Sequence, residues 1–195
     1  MSETEAVRRL QAGDRSALNL LYSTYAEAAI RTAFLITRSK AVAEDAVQEA
    51  FVQVIRTVPT LRDPASFRPW FYRIVVNSAK RLSRNISRSL PLDLEYTKVD
   101  LTALSPDEAA IGIEEIQMVR AAINDLNQAH REAVILRYYT DLSEDEIAQS
   151  LGVPSGTVKS RLHRAKEVLR ERLEGKTRFS RRSAVPLEWS SGQKE

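Results

Sequence analysis

Apolar residues recur along most of this chain at intervals of three and four, the spacing of one face of an α-helix. Strand-like alternation is scarce. The spacing predicts a short opening helix over Glu3–Gln11, ended at Gly13. Asp14 can cap the next helix, whose inner stripe reads Leu18, Leu21, Tyr22, Tyr25, Ala29, Thr32, Ala33 and Ile36. A third helix turns Ala43, Ala46, Val47, Ala50, Phe51, Val54, Ile55 and Val58 inward and stops at Pro59. A turn, RDPASF (62–67), precedes a fourth, with Asp63 or Ser66 as its cap. Phe67, Trp70, Phe71, Ile74, Val75, Ala79 and Leu82 lie on that helix's apolar stripe.

Between Leu90 and Pro106 the pattern lapses, and prolines stand near both ends, so this stretch reads as a linker. It is too apolar for a pure spacer, and Leu92, Leu94 and Leu101 are candidates for docking on a surface. Helical spacing resumes over Asp107–Leu126, with Ile113, Ile116, Val119, Ile123 and Leu126 inward. Asn127 caps a further helix running through Tyr139.

The clearest stretch is Leu142–Leu173. Ser143 followed by Glu146 is a capping box, in which each side chain satisfies the other residue's free backbone N–H. Ile147, Ala148 and Leu151 form the inner face of the short helix that follows. Gly152 stands where a positive φ costs least. Pro154 cannot extend a helix from behind, and Ser155 offers a second cap. Val158, Leu162, Ala165, Val168, Leu169 and Leu173 then line the apolar side of a long helix. Its other side carries Lys159, Arg161, His163, Arg164, Lys166 and Arg170. A short acidic helix, a glycine turn and a long basic helix describe a helix-turn-helix. Such a motif lays its second helix in the major groove of DNA. The competing reading is an ordinary helical hairpin with a solvated basic face; agreement of cap, turn and charge on one geometry favours DNA.

The pattern therefore predicts an all-α protein of two small helical domains joined by a flexible linker. Residues 1–90 form the first, 91–106 the linker and 107–174 the second. The basic tail, 175–195, has the composition of a disordered end.

Two outer faces carry candidate chemistry. On the third helix Asp45, Gln48, Glu49, Val52 and Arg56 line up away from the core stripe. Val52 is either an incidental exposed valine or the centre of a protein contact ringed by polar groups. On the fourth helix Arg73, Asn77, Lys80, Arg81, Arg84 and Arg88 share a face, and no Asp or Glu occurs from Pro64 to Leu92. Aromatic residues at its start and cations along its length suit single-stranded nucleic acid, with phosphates on the cations and bases stacked or pocketed. Trp70 and Phe71 fit the core better; Phe67, Tyr72 and Asn77 are the candidates for exposure.

Composition narrows the classes further. The 195 residues are 43% hydrophobic and 28% charged, enough apolar content for packed cores. The net charge of +3 is small, so the clustering of cations matters more than their sum. Cysteine is absent, which excludes disulfides and thiolate chemistry. With only His130 and His163 present, a histidine-based metal site is not expected. No carboxylate pair, nucleophile–base set or glycine-rich phosphate loop stands out, so no catalytic residue, metal or cofactor is expected. No apolar run is long enough to span a bilayer and the start is too polar for a signal peptide, which predicts a cytoplasmic protein.

Taken together, DAVQEAFVQVIR (45–56), FRPWFYRIVVNSAKRL (67–82), LNQAHREAVILRYYTDLSEDEIA (126–148) and GTVKSRLHRAKEVL (156–169) resemble a bacterial RNA polymerase sigma factor of the extracytoplasmic-function type. Four stretches in order across two domains make the resemblance specific, and it covers the chain to about Leu173. It implies a protein that binds core RNA polymerase, directs it to promoters and promotes melting. By the same resemblance Asp45, Gln48, Glu49 and Val52 face the clamp of the largest polymerase subunit. Arg62, Asp63, Ser66, Phe67 and Asn77 belong to the part that captures a flipped base of the -10 element, with Arg73, Lys80, Arg81 and Arg84 on phosphates. Lys159, Ser160, His163 and Arg164 are candidates for base contacts at the -35 element, and Thr157 and Arg161 for phosphate. The resemblance also implies an anti-sigma partner, often membrane-anchored. The alternative is a stand-alone helix-turn-helix regulator of duplex DNA, which leaves the aromatic and basic stretch at 67–88 without a role.

Overall fold

The computed structural model describes residues 2–89 and 113–177. The expected linker, the tail beyond Thr177 and the side chains of Arg88, Ile113 and Ile116 lie outside the described residues. All regular structure among the described residues is helical: α1 Glu3–Gln11, α2 Ala17–Thr37, α3 Lys40–Thr57, α4 Phe67–Ser89, α5 Ile113–Asp125, α6 Gln128–Tyr139, α7 Glu144–Leu151 and α8 Ser155–Thr177. Short 3-10 turns at Val58–Thr60 and Pro64–Ser66 join α3 to α4. No helix among them is long and apolar enough to cross a membrane.

The first four helices pack around an aromatic cluster. Phe71 is fully buried. Its ring centroid lies 5.3 Å from that of Tyr25, 5.0 Å from Phe51, 5.8 Å from Phe67 and 5.5 Å from Tyr72. Alanines at 29, 33, 43, 46 and 50 are fully buried and let α2 and α3 come close. The Tyr25 hydroxyl donates to Glu3, which satisfies the one polar atom this ring takes inside. Burial, with the Glu3 carboxylate beside it, raises the Tyr25 pKa far above that of a free phenol. Burial also pushes Tyr72 up to about 12.

The sequence reading of the core needs correction at four residues. Tyr72, expected at the surface, and Phe67, a stripe residue also read as a candidate for exposure, are 2% and 0% exposed, because Tyr25, Trp70 and Phe71 crowd the start of α4 and draw both rings inward. Tyr22 and Val119, expected inside, are 49% and 37% exposed. Tyr22 lies over the outer edge of Phe51, at 4.9 Å between centroids, instead of beneath it.

Local signals fare better. Asn127 caps α6 by accepting from His130 N at 2.9 Å. The Ser143–Glu146 capping box is formed in both directions. Gly152 takes the left-handed conformation, φ 65°, that ends α7. Asp14 acts one turn earlier than a helix cap: its carboxylate accepts from Ser16 N and Ser16 Oγ and pairs with Arg9, and these partners hold its pKa down at about 2. Ser155 is the first residue of α8, not its cap; the Pro154 carbonyl accepts from Thr157 N and Val158 N.

The two halves touch. Ser150 on α7 donates to the Pro69 carbonyl on α4 at 2.9 Å. Arg68 donates to the Thr140 carbonyl. Arg38, at the left-handed end of α2, and Arg131 on α6 both reach the Asn124 carbonyl at 2.8 Å. That carbonyl belongs to the last turn of α5, whose oxygens have no partner within the helix. Lys80 on α4 meets Glu132 on α6 at 3.0 Å.

Candidate nucleic-acid and protein interfaces

Three surfaces carry the candidate residues. The first is the outer side of α3. Asp45 and Gln48 are exposed, and Val52 is 45% exposed. A valine so exposed, on a helix face shared with Asp45, Gln48 and Glu49, has the make-up of a small contact centre. Tyr22 adds a second exposed apolar group beside α3, which the stripe pattern had assigned to the core. Glu49 departs from expectation in one respect: it pairs with Arg81 on α4, so this polymerase candidate and this phosphate candidate engage one another here.

The second surface begins at the 62–67 turn. Asp63 Oδ1 accepts from Ala65 N at 3.0 Å, and Ser66 Oγ donates to Asp63 Oδ2 at 2.9 Å. These two residues therefore set the loop's shape. Pro64 follows Asp63 with the extended backbone that a residue before proline favours. Phe67 anchors the loop from inside instead of offering its ring to a base. Arg62, Arg73, Asn77, Arg81 and Arg84 are exposed. Arg84 Nε donates to the Lys80 carbonyl, which holds its guanidinium along the helix. Lys80 differs from the rest, being turned toward Glu132.

The third surface is the outer side of α8. Lys159, Ser160, His163 and Arg164 are exposed near its start; Thr157 and Arg161 are half-buried. Ser160 Oγ donates to the Thr157 carbonyl, and His163 Nε2 lies 3.4 Å from Glu167 one turn on. Val158, Leu162 and Ala165 hold the opposite side against the core. The helix is thus fixed by one face and free to present the other, as a groove-reading helix requires. An open cleft between Leu61, Ser66, Trp70 and Arg73 on one side and Ala148, Gln149, Gly152, Val153 and Pro154 on the other separates the second surface from the helix-turn-helix turn.

His130 lies close enough to α8 to report on its charge. Partial burial, then the positive charges of Arg164 and Arg161, lower its pKa below the usual 6.5. A depressed histidine pKa means that the fold resists protonation. The stabilisation is complete above about pH 6.5 and is lost as the pH falls through the lowered value. In an NMR titration the His130 ring should show its midpoint below that of a free histidine. Arg164→Ala should move the midpoint upward; no movement would separate the two side chains.

Sequence reasoning missed Arg68, Glu132 and Ser150, which join the halves. A carboxylate at 132 heading the apolar run Ala133–Leu136 was the one visible hint. Its partner could not be read from the pattern.

Comparison with known proteins agrees with this geometry. The family model for Sigma-70 region 2 matches residues 21–89, and that for Sigma-70 region 4 matches residues 116–169. These spans hold the exposed cationic faces of α4 and α8 separately. An ECF RNA polymerase sigma-E factor of Haemophilus influenzae is 32% identical over 89% of this chain and 96% of its own length. The sigma-E factor of Escherichia coli K12 is 32% identical over 89% and 95%, and SigW of Bacillus subtilis 27% over 86% and 94%. Among solved structures, CnrH in complex with the cytosolic domain of CnrY shares the fold, with a TM-score of 0.68 at 22% identity, covering 89% of this chain and 97% of that one. The sigma factor RpoE of Bartonella quintana, solved with the anti-sigma factor NepR, matches with a TM-score of 0.64 at 25% identity over 80% and 96%.

The two regions define a Sigma-70-type transcription initiation protein. The chain belongs to the extracytoplasmic-function family of RNA polymerase sigma factors. Region 2 has no place in a stand-alone regulator, and sigma factors are not enzymes.

Proposed function

We propose a division of labour within this alternative sigma factor, which binds core RNA polymerase, directs it to promoters and promotes melting. Residues 1–90 bind polymerase and the -10 element, 91–106 connect, and 107–174 bind the -35 element. It works on DNA in the cytoplasm and joins the nucleoid when polymerase-bound. The carrying observation is that each half presents its own exposed cationic face on a helix anchored from behind, α4 in one and α8 in the other.

Arg62, Asn77 and the loop shaped by Asp63 and Ser66 hold a base of the unwound -10 strand. Arg73, Lys80, Arg81 and Arg84 take its phosphates. Bases held out of the stack stabilise the melted state, which is how binding alone opens DNA. On α8, Lys159, Ser160, His163 and Arg164 reach base edges, while Thr157 and Arg161 take phosphate. Asp45, Gln48, Glu49 and Val52 meet the polymerase clamp. The solved complexes of CnrH and RpoE support an anti-sigma partner for this chain too, membrane-anchored or soluble.

Run-off transcription with purified core enzyme on a promoter library tests the whole reading. RNA synthesis no better than that of core alone, across all templates, would sink it. Val52→Asp tests one surface separately. It brings a carboxylate to a contact that desolvates it, and core-polymerase affinity should fall tenfold or more, roughly 1.4 kcal/mol. Unchanged affinity in a competition assay would remove this face from the interface.

A further inference from the structure

Asp63 and Ser66 shape the 62–67 turn from within, but they do not set where it begins. Its entry is Leu61, which follows the 3-10 turn at Val58–Thr60 with an extended backbone, φ -72° and ψ 111°. Leu61 belongs to no helix, so no helical partner bonds its carbonyl, and a main-chain oxygen held against protein needs one. The partner comes from the start of the chain. Gln11, the last residue of α1, is half-buried. Its Nε2 donates to the Leu61 carbonyl at 2.7 Å and to the Val58 carbonyl at 3.2 Å, across 50 and 47 positions. One side-chain amide carries two N–H donors, and here each has a main-chain oxygen.

The donor is itself firmly held. Ala6, Val7 and Leu10 bury one face of α1 in the core, and Glu3 at its start accepts from the Tyr25 hydroxyl. The helix also packs against both 3-10 turns. The Leu61 side chain is partly buried against the same core. Its carbonyl lies in one planar unit with the Arg62 N–H. Fixing that oxygen fixes the direction in which the chain leaves for Arg62. At the far end the turn is anchored by Phe67, which is fully buried. The exposed Arg62 therefore starts from a point set by Gln11, a residue outside the span 21–89 that matches Sigma-70 region 2.

We propose that Gln11 is a positioning residue for recognition of the -10 strand: by gripping the Val58 and Leu61 carbonyls it aims Arg62 and the turn at the captured base. It acts through the backbone and not by touching DNA. This role rests on the -10 reading of the 62–67 turn. A recognition group is only as precise as the shell that supports it. A turn released at its entry samples several directions, and the preferred base loses more by this than the others do. Discrimination falls with it, because specificity is a difference of affinities.

Holoenzyme run-off yields on the promoter recovered from the library, and on variants carrying each base at each -10 and -35 position, test the role. Gln11→Leu keeps the length of the side chain and removes both donors. Preference at one or more -10 positions should fall about fivefold or more, the worth of one ordinary hydrogen bond, with -35 preferences unchanged. Gln11→Lys keeps a donor within reach of both carbonyls and should retain most of that preference; its added charge acts on all sequences alike. Unaltered -10 preference in Gln11→Leu overturns the role. So does an equal loss at -10 and -35 positions with a lowered urea midpoint, which marks a purely structural residue, and so does a loss in Gln11→Lys as large as in Gln11→Leu. Ser66→Ala, which disturbs the turn from within, separates the causes. A -10 preference altered by Ser66→Ala and untouched by Gln11→Leu removes the positioning role alone. If neither variant alters any -10 preference, the -10 reading of the turn falls and the role of Gln11 falls with it.

Discussion

Phe71→Ala should destabilise the first helical unit by about 3–5 kcal/mol, the usual cost of emptying a buried phenylalanine site. Phe71 is fully buried and central: Tyr25, Phe51, Phe67 and Tyr72 all lie within 5.8 Å between ring centroids. Its neighbours come from α2, α3 and α4, so no single side chain can move in to fill the void. Total stabilities of domains are about 5–15 kcal/mol, so this loss would leave the unit marginal at best. Urea denaturation should show a lower midpoint with little change in slope. Phe71→Leu keeps most of the volume and should recover more than half of the loss. A cost for Phe71→Ala below about 1 kcal/mol would mean that the unit is not organised around this ring.

Arg164→Ala should weaken the -35 contact by about 1–3 kcal/mol, the discrimination carried by one bidentate base contact. Arg164 is exposed on α8, about three helical turns beyond Pro154, and Val158, Leu162 and Ala165 on the same helix are buried. An arginine so placed can reach the acceptor pair on guanine, which lysine cannot engage with two parallel bonds. The loss should fall on promoters carrying one base pair and spare others. Equal loss on every sequence would assign the side chain to phosphate, and a steeper salt dependence in the wild type would accompany that result. Run-off yields of the holoenzyme on the recovered promoter and on single-base variants decide between the two.

Much of this was legible before any coordinates. Ser143–Glu146, Gly152 and Asn127 act through groups within four residues, so the local chain determines them. The cationic faces of α4 and α8 were legible because helix geometry fixes which residues share a side. Burial near the start of α4 was not. Phe67 and Tyr72 lie on opposite edges of the stripe, and only the meeting of α2, α3 and α4 decides that both are covered. The same meeting leaves Tyr22 outside, although its spacing matches Leu21 and Tyr25. The pairing of Glu49 with Arg81 was equally hidden, since two exposed charges on different helices carry no mark of their partners.

The sequence by itself determined the helices, their ends, the two-part layout and the charged faces, because each depends on hydrogen bonds and periodicity within a few turns. It also carried the family, through four motifs in order. Tertiary structure alone decided which aromatic rings face water and where Lys80, Arg68 and Glu132 find their partners. Those outcomes depend on contacts between residues far apart in the chain, such as Tyr25 and Phe67 or Lys80 and Glu132, and no local pattern specifies which two surfaces will meet.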